Sequence, residues 1–471
     1  MRRRFLSGII VLVLPGLLTG ISPAGAQETP PAARPQHQES AQAPQTLPLK
    51  QALAYALQAN QEARKARLDI EGGQYKIDEA KAGALPKINA SGGLTYNPIL
   101  QLSALPGEFL GQPGEILLVP FGQKWGGNAG VSMSQTLYDQ SVLTGLKAAK
   151  STREFYALNA QLTEEQLIEQ VATNYYQVLI RRQKLDVLDS TIRNAAKVLE
   201  IIDNQHQNGL ARKIDVDRMK VNISNLQSQR QQLTNAVSLL SNQLKYAMGM
   251  PVETPIVLPP IALDDIKLEE WAGGDNTDFS GRSEFRIMQQ QEQLLQLQKS
   301  AYKAGFYPNL SLTGNYSYQG LGNTLPVFKG PSRGVYWFDV ASIGLNLKIP
   351  IFNGNAIRSK VRQADVEIRK VQEDIQKTEI GLRLAYENAR TQIRNSLIVL
   401  DNQKENVRLA EEVFHNTRNN YNNGLATLTD LLDAENSFTA AQNNYATALL
   451  DFKVAEIQLI KSQGQLKTLT N

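Results

Sequence analysis

Two aspartates one helical turn apart, Asp430 and Asp433, are the side chains whose spacing most suggests chemistry. At i, i+3 they share one face of a helix, so their charges add. They follow the turn Asn423-Gly424-Leu425-Ala426, and the same turn stands 215 positions earlier as Asn208-Gly209-Leu210-Ala211. That offset carries Asp430 onto Asp215 and Asp433 onto Arg218. A carboxylate pair of this kind attracts cations where it lines a constriction. A competing reading makes Asp430 a first-turn acid that merely stabilises its helix. Catalytic pairings are absent: there is no H-E-x-x-H, P-loop or Gly-x-Ser-x-Gly, and no nucleophile with a base. The only histidines are His37, His206 and His415, the last two read as solvated helix residues. The chain contains no cysteine, which removes disulfides and thiolate metal sites. The sequence therefore points to a protein that is not an enzyme and takes no cofactor.

The elements that position these residues are duplicated. Besides the turn, Lys81-Ala82-Gly83 matches Lys303-Ala304-Gly305, and that second offset of 222 carries Pro86 onto Pro308. A tandem repeat of this length sets the architecture. The repeated unit is a helix, a β-hairpin and a pair of long helices. Its first copy spans 46–250, with the hairpin at about 87–138 and long helices over 139–249. A linker follows over 251–280. The second copy spans 281–467, with the hairpin at about 309–352 and helices over 354–466.

Ahead of the repeats, Arg2, Arg3 and Arg4, an apolar run from Phe5 to Leu18, and Ala24-Gly25-Ala26 form the pattern of a signal peptide over 1–26. Residues 27–45, rich in Pro, Ala, Gln and Glu, read as a flexible leader. Cleavage removes three of the 49 basic residues and leaves 46 against 45 acidic ones. That balance is no nucleic-acid signature. No later apolar stretch is long enough for a transmembrane helix, so a membrane crossing requires a β-barrel.

Period-two alternation supplies the strands. Ile88, Ala90, Gly92, Leu94 and Tyr96 alternate with Asn89, Ser91, Gly93 and Thr95; Val131, Met133, Gln135 and Leu137 form a second set. Leu310, Leu312, Gly314, Tyr316 and Tyr318 form the third, and Ile343, Leu345, Leu347, Ile349 and Ile351 the fourth. One apolar and one polar face over about ten residues is the mark of a membrane strand. Gly/Pro-rich stretches at about 103–124 and 320–334 read as hairpin loops. Trp125, Tyr336, Trp337 and Phe338 sit at one end of these strands and Tyr138 and Phe352 at the other, as two aromatic girdles would.

The helices are long. Proline is absent from Gly354 to Tyr421, a run of about 100 Å at 1.5 Å per residue. A helical stretch from about Leu47 to Leu85 has Gly72-Gly73 as its weak point. The seam Ile357, Val361, Ala364, Ile368, Val371, Ile375, Thr378, Leu382, Ala385, Ala389 steps by four and three, which is coiled-coil spacing. In the first copy only Arg230 interrupts the equivalent seam. The remaining circumference is polar, as in a hollow wall wetted on both sides. Four strands cannot close a membrane barrel, because the smallest need about eight. Three copies of the chain supply twelve and leave a lumen. The expected fold is an α+β membrane protein: a trimeric 12-stranded barrel, four strands per chain, continued by a helical coiled-coil barrel.

At this point the chain resembles the TolC family of outer-membrane efflux proteins over about 46–467. The hairpin-and-helix repeat and Tyr421-Asn422-Asn423-Gly424 with Asp430-Leu431-Leu432-Asp433-Ala434 carry the resemblance. It implies a homotrimer in the outer membrane lipid of a Gram-negative bacterium, with its helical part in the periplasm. It also implies a closed periplasmic end, opened when a periplasmic adaptor and an inner-membrane transporter of RND or ABC type dock there. By the same resemblance, Asp430 and Asp433 match constriction aspartates, and Asp215 and Tyr421 match positions that tether neighbouring tip helices. A Tyr421 hydroxyl to Asp215 carboxylate bond is the expected tether. Gly209, Leu210, Gly424 and Leu425 match adaptor-docking turns. The sequence departs at Ala426, where the family often places a basic residue; Arg218 is positioned to substitute as the partner of Asp433. Small-molecule efflux ranks ahead of type I protein secretion on family grounds alone. A structural coiled-coil envelope protein or a periplasmic adaptor would account for the heptads but not for the four amphipathic strands.

Overall fold

The computed structural model describes residues 46–259 and 278–470, apart from 107, 109, 110, 112, 113, 115 and 328. The expected signal peptide and leader, and most of the expected linker, lie outside the described residues. Seven α-helices and six strands follow in the described chain: α1 (Leu49–Ala59), α2 (Gln61–Ala82), β1 (Lys87–Tyr96), β2 (Leu102–Pro106), β3 (Ile116–Pro120), β4 (Trp125–Tyr138), α3 (Gln140–Gln207) and α4 (Lys213–Met248). The second half holds α5 (Ser283–Ala304), β5 (Asn309–Gly322), β6 (Val335–Lys348), α6 (Ala356–Asn422) and α7 (Leu428–Ser462). Among the described residues no helix is long and apolar enough to cross a membrane.

The four long strands form one antiparallel sheet in the order β1-β4-β5-β6. Its register puts the expected apolar residues on a single face. Ile88 pairs with Met133, Met133 with Gly314, and Gly314 with Ile343; Ala90, Val131, Tyr316 and Ala341 form the next row. Among the described residues no helix or second sheet packs on either side of this sheet, and Ile343 keeps 87% of its surface exposed. An apolar face left open over four strands needs an apolar environment. β1 and β6 are the two edge strands, and their outer ladders have no partner within the described chain.

The aromatic ends are more selective than expected. Tyr96 contacts Trp125 at 4.6 Å between ring centroids, and Tyr318 stacks on Trp337 at 4.9 Å. All four belong to the apolar face by register. Tyr336 and Phe338 alternate onto the other face, because successive side chains of a strand point oppositely. Phe352 and Ile351 lie beyond the end of β6 at Lys348, because Pro350 lacks the N–H a ladder needs. The first expected loop contains a further hairpin, β2–β3, and the second is shortened by the extension of β5 to Gly322.

Trp337 lies flat across the sheet, its indole N–H donating to the Lys329 carbonyl at 2.9 Å. Gly320 makes this possible: a Cβ there would stand 2.6 to 2.8 Å from the indole ring. Gly320→Ala is expected to lift the indole at a cost of about 1–3 kcal/mol. The check is a red-shifted Trp337 emission in a protein whose other two tryptophans are phenylalanine.

Helices carry the rest of the chain. Asp139 joins the two parts: it caps α3 through the Ser141 N–H at 2.7 Å and accepts from the Asn309 amide at the start of β5. The first helical stretch breaks at Asn60, not at Gly72-Gly73. Asn60 accepts from the Glu62 and Ala63 N–H groups and donates to the Ala247 carbonyl at 2.8 Å, which fixes the break against α4. The helix runs through Gly73 because α3 packs closely there; a Cβ would meet the Arg153 backbone at 3.2 Å.

The seam of α6 buries Ala364, Ile368, Val371 and Ala389 as expected, but Tyr386 replaces Ala385. The larger ring reaches Phe279, at 6.2 Å between centroids, and takes this one buried position before the seam resumes at Ala389. Nine of the 67 residues of α6 are buried, so most of its circumference is wetted. Arg230, the exception on the first-copy seam, pairs with Asp189 of α3 at 2.5 Å. In the lower part, α3 packs on α4 and α7, and α7 packs on α6, so the wall runs α4-α3-α7-α6.

Candidate functional site

The site is the far end of the helices, where α3 turns into α4 and α6 turns into α7. The two turns are near copies. Gly209 has φ 72° and Gly424 φ 73°, the left-handed region that a side chain rarely adopts. The Gly209 N–H donates to His206 O and the Leu210 N–H to Gln205 O; Gly424 donates to Tyr421 O and Leu425 to Asn420 O. This double bond pattern is a Schellman-type helix end. The side-chain amides of Asn208 and Asn423 bond carbonyls one turn back, at 2.8 and 2.9 Å. His206, read from sequence as solvated, is half-buried, with Nδ1 2.9 Å from the Ala211 carbonyl across the first turn. Leu210 and Leu425 stand at the turn apices, 81% and 78% exposed. Two matched apolar knobs on rigid turns are what a docking partner can grip.

The next turn of helix differs between the copies, and the residue entering each helix sets the difference. α7 begins after Thr427, which forms a reciprocal capping box with Asp430. The Asp430 carboxylate accepts from the Thr427 N–H at 2.8 Å and its hydroxyl at 2.7 Å, and the Asp430 N–H donates to Thr427 Oγ1. The Thr427 hydroxyl, then its N–H, holds this carboxyl below its ordinary value. Asp430 is thus both a cap and an exposed charge. α4 enters through Arg212 instead, and Arg212 takes the Asp215 carboxylate with Nε at 3.1 Å and Nη2 at 3.3 Å. Thr427→Ala is expected to cost about 1 kcal/mol and to speed amide exchange at residues 428–431.

Tyr421 is half-buried against the cluster that includes Leu431 and Phe414. Burial raises its phenol first, and the nearby Asp215 charge raises it further. The hydroxyl does not bond that carboxylate within one chain; Arg212 occupies it. Asp433 and Arg218 are both exposed, and within the described chain no ion pair joins them. The structure therefore brings Tyr421 close to Asp215, leaves Asp430 and Asp433 together on solvent, and keeps Arg218 apart from Asp433. Arg212 and Thr427 escaped the sequence reading. The signal was present, since the 215-residue offset pairs them as the two helix-entry residues.

Among the described residues no group of three His, Asp or Glu side chains is arranged to hold a metal ion.

Comparison with known proteins bears on the family and the fold. The family model described as outer membrane efflux protein matches residues 52–250 and 280–465. The outer membrane protein TolC of Vibrio cholerae is 24% identical over 402 residues, covering 83% of this chain and 84% of that protein. The pyoverdine export outer membrane protein OpmQ of Pseudomonas aeruginosa is 25% identical over 435 residues, covering 88% and 84%. Among solved structures, the outer membrane protein VceC of Vibrio cholerae superposes with a TM-score of 0.68 at 17% identity, over 88% of this chain and 96% of that one. The open state of the Neisseria gonorrhoeae MtrE outer membrane channel gives 0.68 at 17% identity, over 90% of each. With both halves matched by one family model, and that family's channel fold recovered from the coordinates, the chain belongs to the outer membrane efflux protein family.

Proposed function

We propose that three copies of this outer-membrane chain form the exit duct of a tripartite export system. In this reading three four-stranded sheets close into a 12-stranded barrel, and the helices continue it as a tunnel into the periplasm. One observation carries the proposal: a largely exposed apolar sheet face between two edge strands, β1 and β6, that have no outer partner among the described residues. Pairing β1 of one copy with β6 of the next removes every edge, the only arrangement that satisfies a sheet backbone in lipid.

At the tunnel's end Asp430 and Asp433 then become two rings of three carboxylates, a constriction that favours cations. Asp215 and Tyr421 hold the closed tips at the seams between helices. Arg218 is the candidate partner for Asp433 across a subunit boundary, since it has no ion pair among the described residues. Leu210 and Leu425, with Gly209 and Gly424 shaping their turns, receive a periplasmic adaptor, and an inner-membrane pump of RND or ABC type supplies the energy. Small molecules are the proposed cargo; OpmQ, a relative, is named for pyoverdine export.

Planar-bilayer recording of the purified protein tests this reading. A small cation-preferring conductance supports it. A folded protein that inserts no channels and leaves no detergent-resistant oligomer on unheated gels would return the chain to an adaptor-like or coiled-coil role.

A further inference from the structure

A cleft of about 260 Å³ opens between α3 and α7, and Phe414 of α6 closes one side. All of its lining comes from one chain. It sits on the middle seam of the α4-α3-α7-α6 wall, so a neighbour meeting the outer helices α4 and α6 leaves it open. Glu435 is its unusual member. The residue is only 5% exposed, it lines the cleft, and no hydrogen bond or ion pair reaches its carboxylate among the described residues. A carboxylate buried without a partner is costly, and a glutamine of the same shape would avoid the cost. It lies eight residues into the helix from its Thr427 cap, about 12 Å above the tip.

The other walls describe what would satisfy it. Phe414 and Phe438 stack at 5.7 Å with planes 13° apart and form an aromatic side. Asp186 of α3 adds a second acid at the rim, and Ser190, Thr191 and Gln442 add neutral hydrogen-bonding groups. No cationic side chain lines the cleft. Two acids repel an anion, and a metal ion would want more ligands than the two carboxylates offer. An ammonium group on a short apolar arm meets both demands: the charge pairs with Glu435, and the arm lies on the phenyl faces, which also attract cations.

We propose that this cleft is a binding site for a small organic ammonium, with Glu435 as its charge anchor, Asp186 as a rim acid and Phe414–Phe438 as its aromatic wall. The site lies outside the gate residues and does not depend on the gate assignment. Burial pushes the Glu435 carboxyl up to about 7, so the free site is largely protonated below that value and charged above it. The other charged groups near it are Asp186 of α3, which faces Arg182 of its own helix, and His415 and Arg418 of α6, both against the Phe414 ring.

The test is equilibrium dialysis of radiolabelled phenethylammonium against the purified full chain in detergent, with 2-phenylethanol as the neutral control. At pH 8 the ammonium is expected to bind saturably and the alcohol at least tenfold more weakly. Glu435→Gln should reduce ammonium affinity at least tenfold and leave the alcohol unchanged. Lowering the pH to 6 should bring the unsubstituted protein close to the Glu435→Gln value, because the probe stays charged and Glu435 does not. Asp186→Asn, at an exposed position that leaves the core intact, should give a smaller loss and serves if Glu435→Gln fails to assemble. Equal affinity for ammonium and alcohol, or an affinity indifferent to both substitutions and to pH, overturns the proposal.

Discussion

Asp430→Ala/Asp433→Ala protein in a planar bilayer is expected to pass more current than the unsubstituted protein and to lose its preference for cations. The reason is charge density. In the proposed trimer, two rings of three carboxylates at a narrow opening raise the local cation concentration and repel anions, and fields of this kind change local ion occupancy by about tenfold or more. The cation-to-anion permeability ratio should fall by about that factor, towards unity. The single substitutions are not equivalent. Asp433 makes no side-chain bond in the described chain, so Asp433→Ala removes charge alone. Asp430 also closes the capping box with Thr427, so Asp430→Ala loosens the first turn of α7 at a cost of about 1 kcal/mol. Thr427→Ala separates the effects: it breaks the same box and keeps the charge. If Thr427→Ala opens the channel as far as Asp430→Ala does, the cap controls the opening and the charge does not. If neither aspartate changes conductance or selectivity, the constriction lies elsewhere along the tunnel.

Ile343→Arg is expected to abolish the heat-sensitive, detergent-resistant oligomer in outer-membrane fractions, and Ser342→Arg to preserve it. The two residues are adjacent on β6 and point to opposite faces. Ile343 belongs to the exposed apolar row with Gly314, Met133 and Ile88. An arginine at the middle of a barrel's lipid face costs about 2–4 kcal/mol, and a trimer carries it three times, about 6–12 kcal/mol per barrel. That approaches the whole stability of an ordinary domain. Ser342 pairs with Asn315 on the polar face, where in the proposed barrel an arginine meets water and alters only the lumen charge. Equal behaviour of the two variants would show that the sheet does not present Ile343 to lipid.

Strands and tips were legible because each rests on local physics. Period two survives in any environment with one wet and one apolar side, so Leu310 to Tyr318 announced a strand without reference to any partner. Gly209 and Gly424 were legible because a tight helix end needs a left-handed residue. Other features depend on what arrives from far along the chain. The break at Asn60 is set by Ala247, 187 residues away, which takes the Asn60 amide; Gly72-Gly73 was the stronger local signal, and packing against Arg153 and Tyr156 overrode it. The seam moved from Ala385 to Tyr386 because Phe279 supplies a surface for the ring. The β2–β3 hairpin was hidden by its prolines and its brevity. Glu435 read as one more polar residue on a polar helix, since nothing local distinguishes a buried glutamate from a solvated one.

The repeated order of helices and strands, the apolar face of each strand and the positions of the two turns are written in the chain. These follow from periodicity and backbone sterics within a few residues. Only the tertiary structure decided who holds each charge at the tip. Thr427 binds Asp430 and Arg212 binds Asp215, the Tyr421 hydroxyl makes no bond to Asp215 within the described chain, and Glu435 is buried at the edge of a cleft with no bonded partner among the described residues. A charged group's state depends on which groups come within a few ångströms and how much water they displace, and those neighbours are set by helix packing.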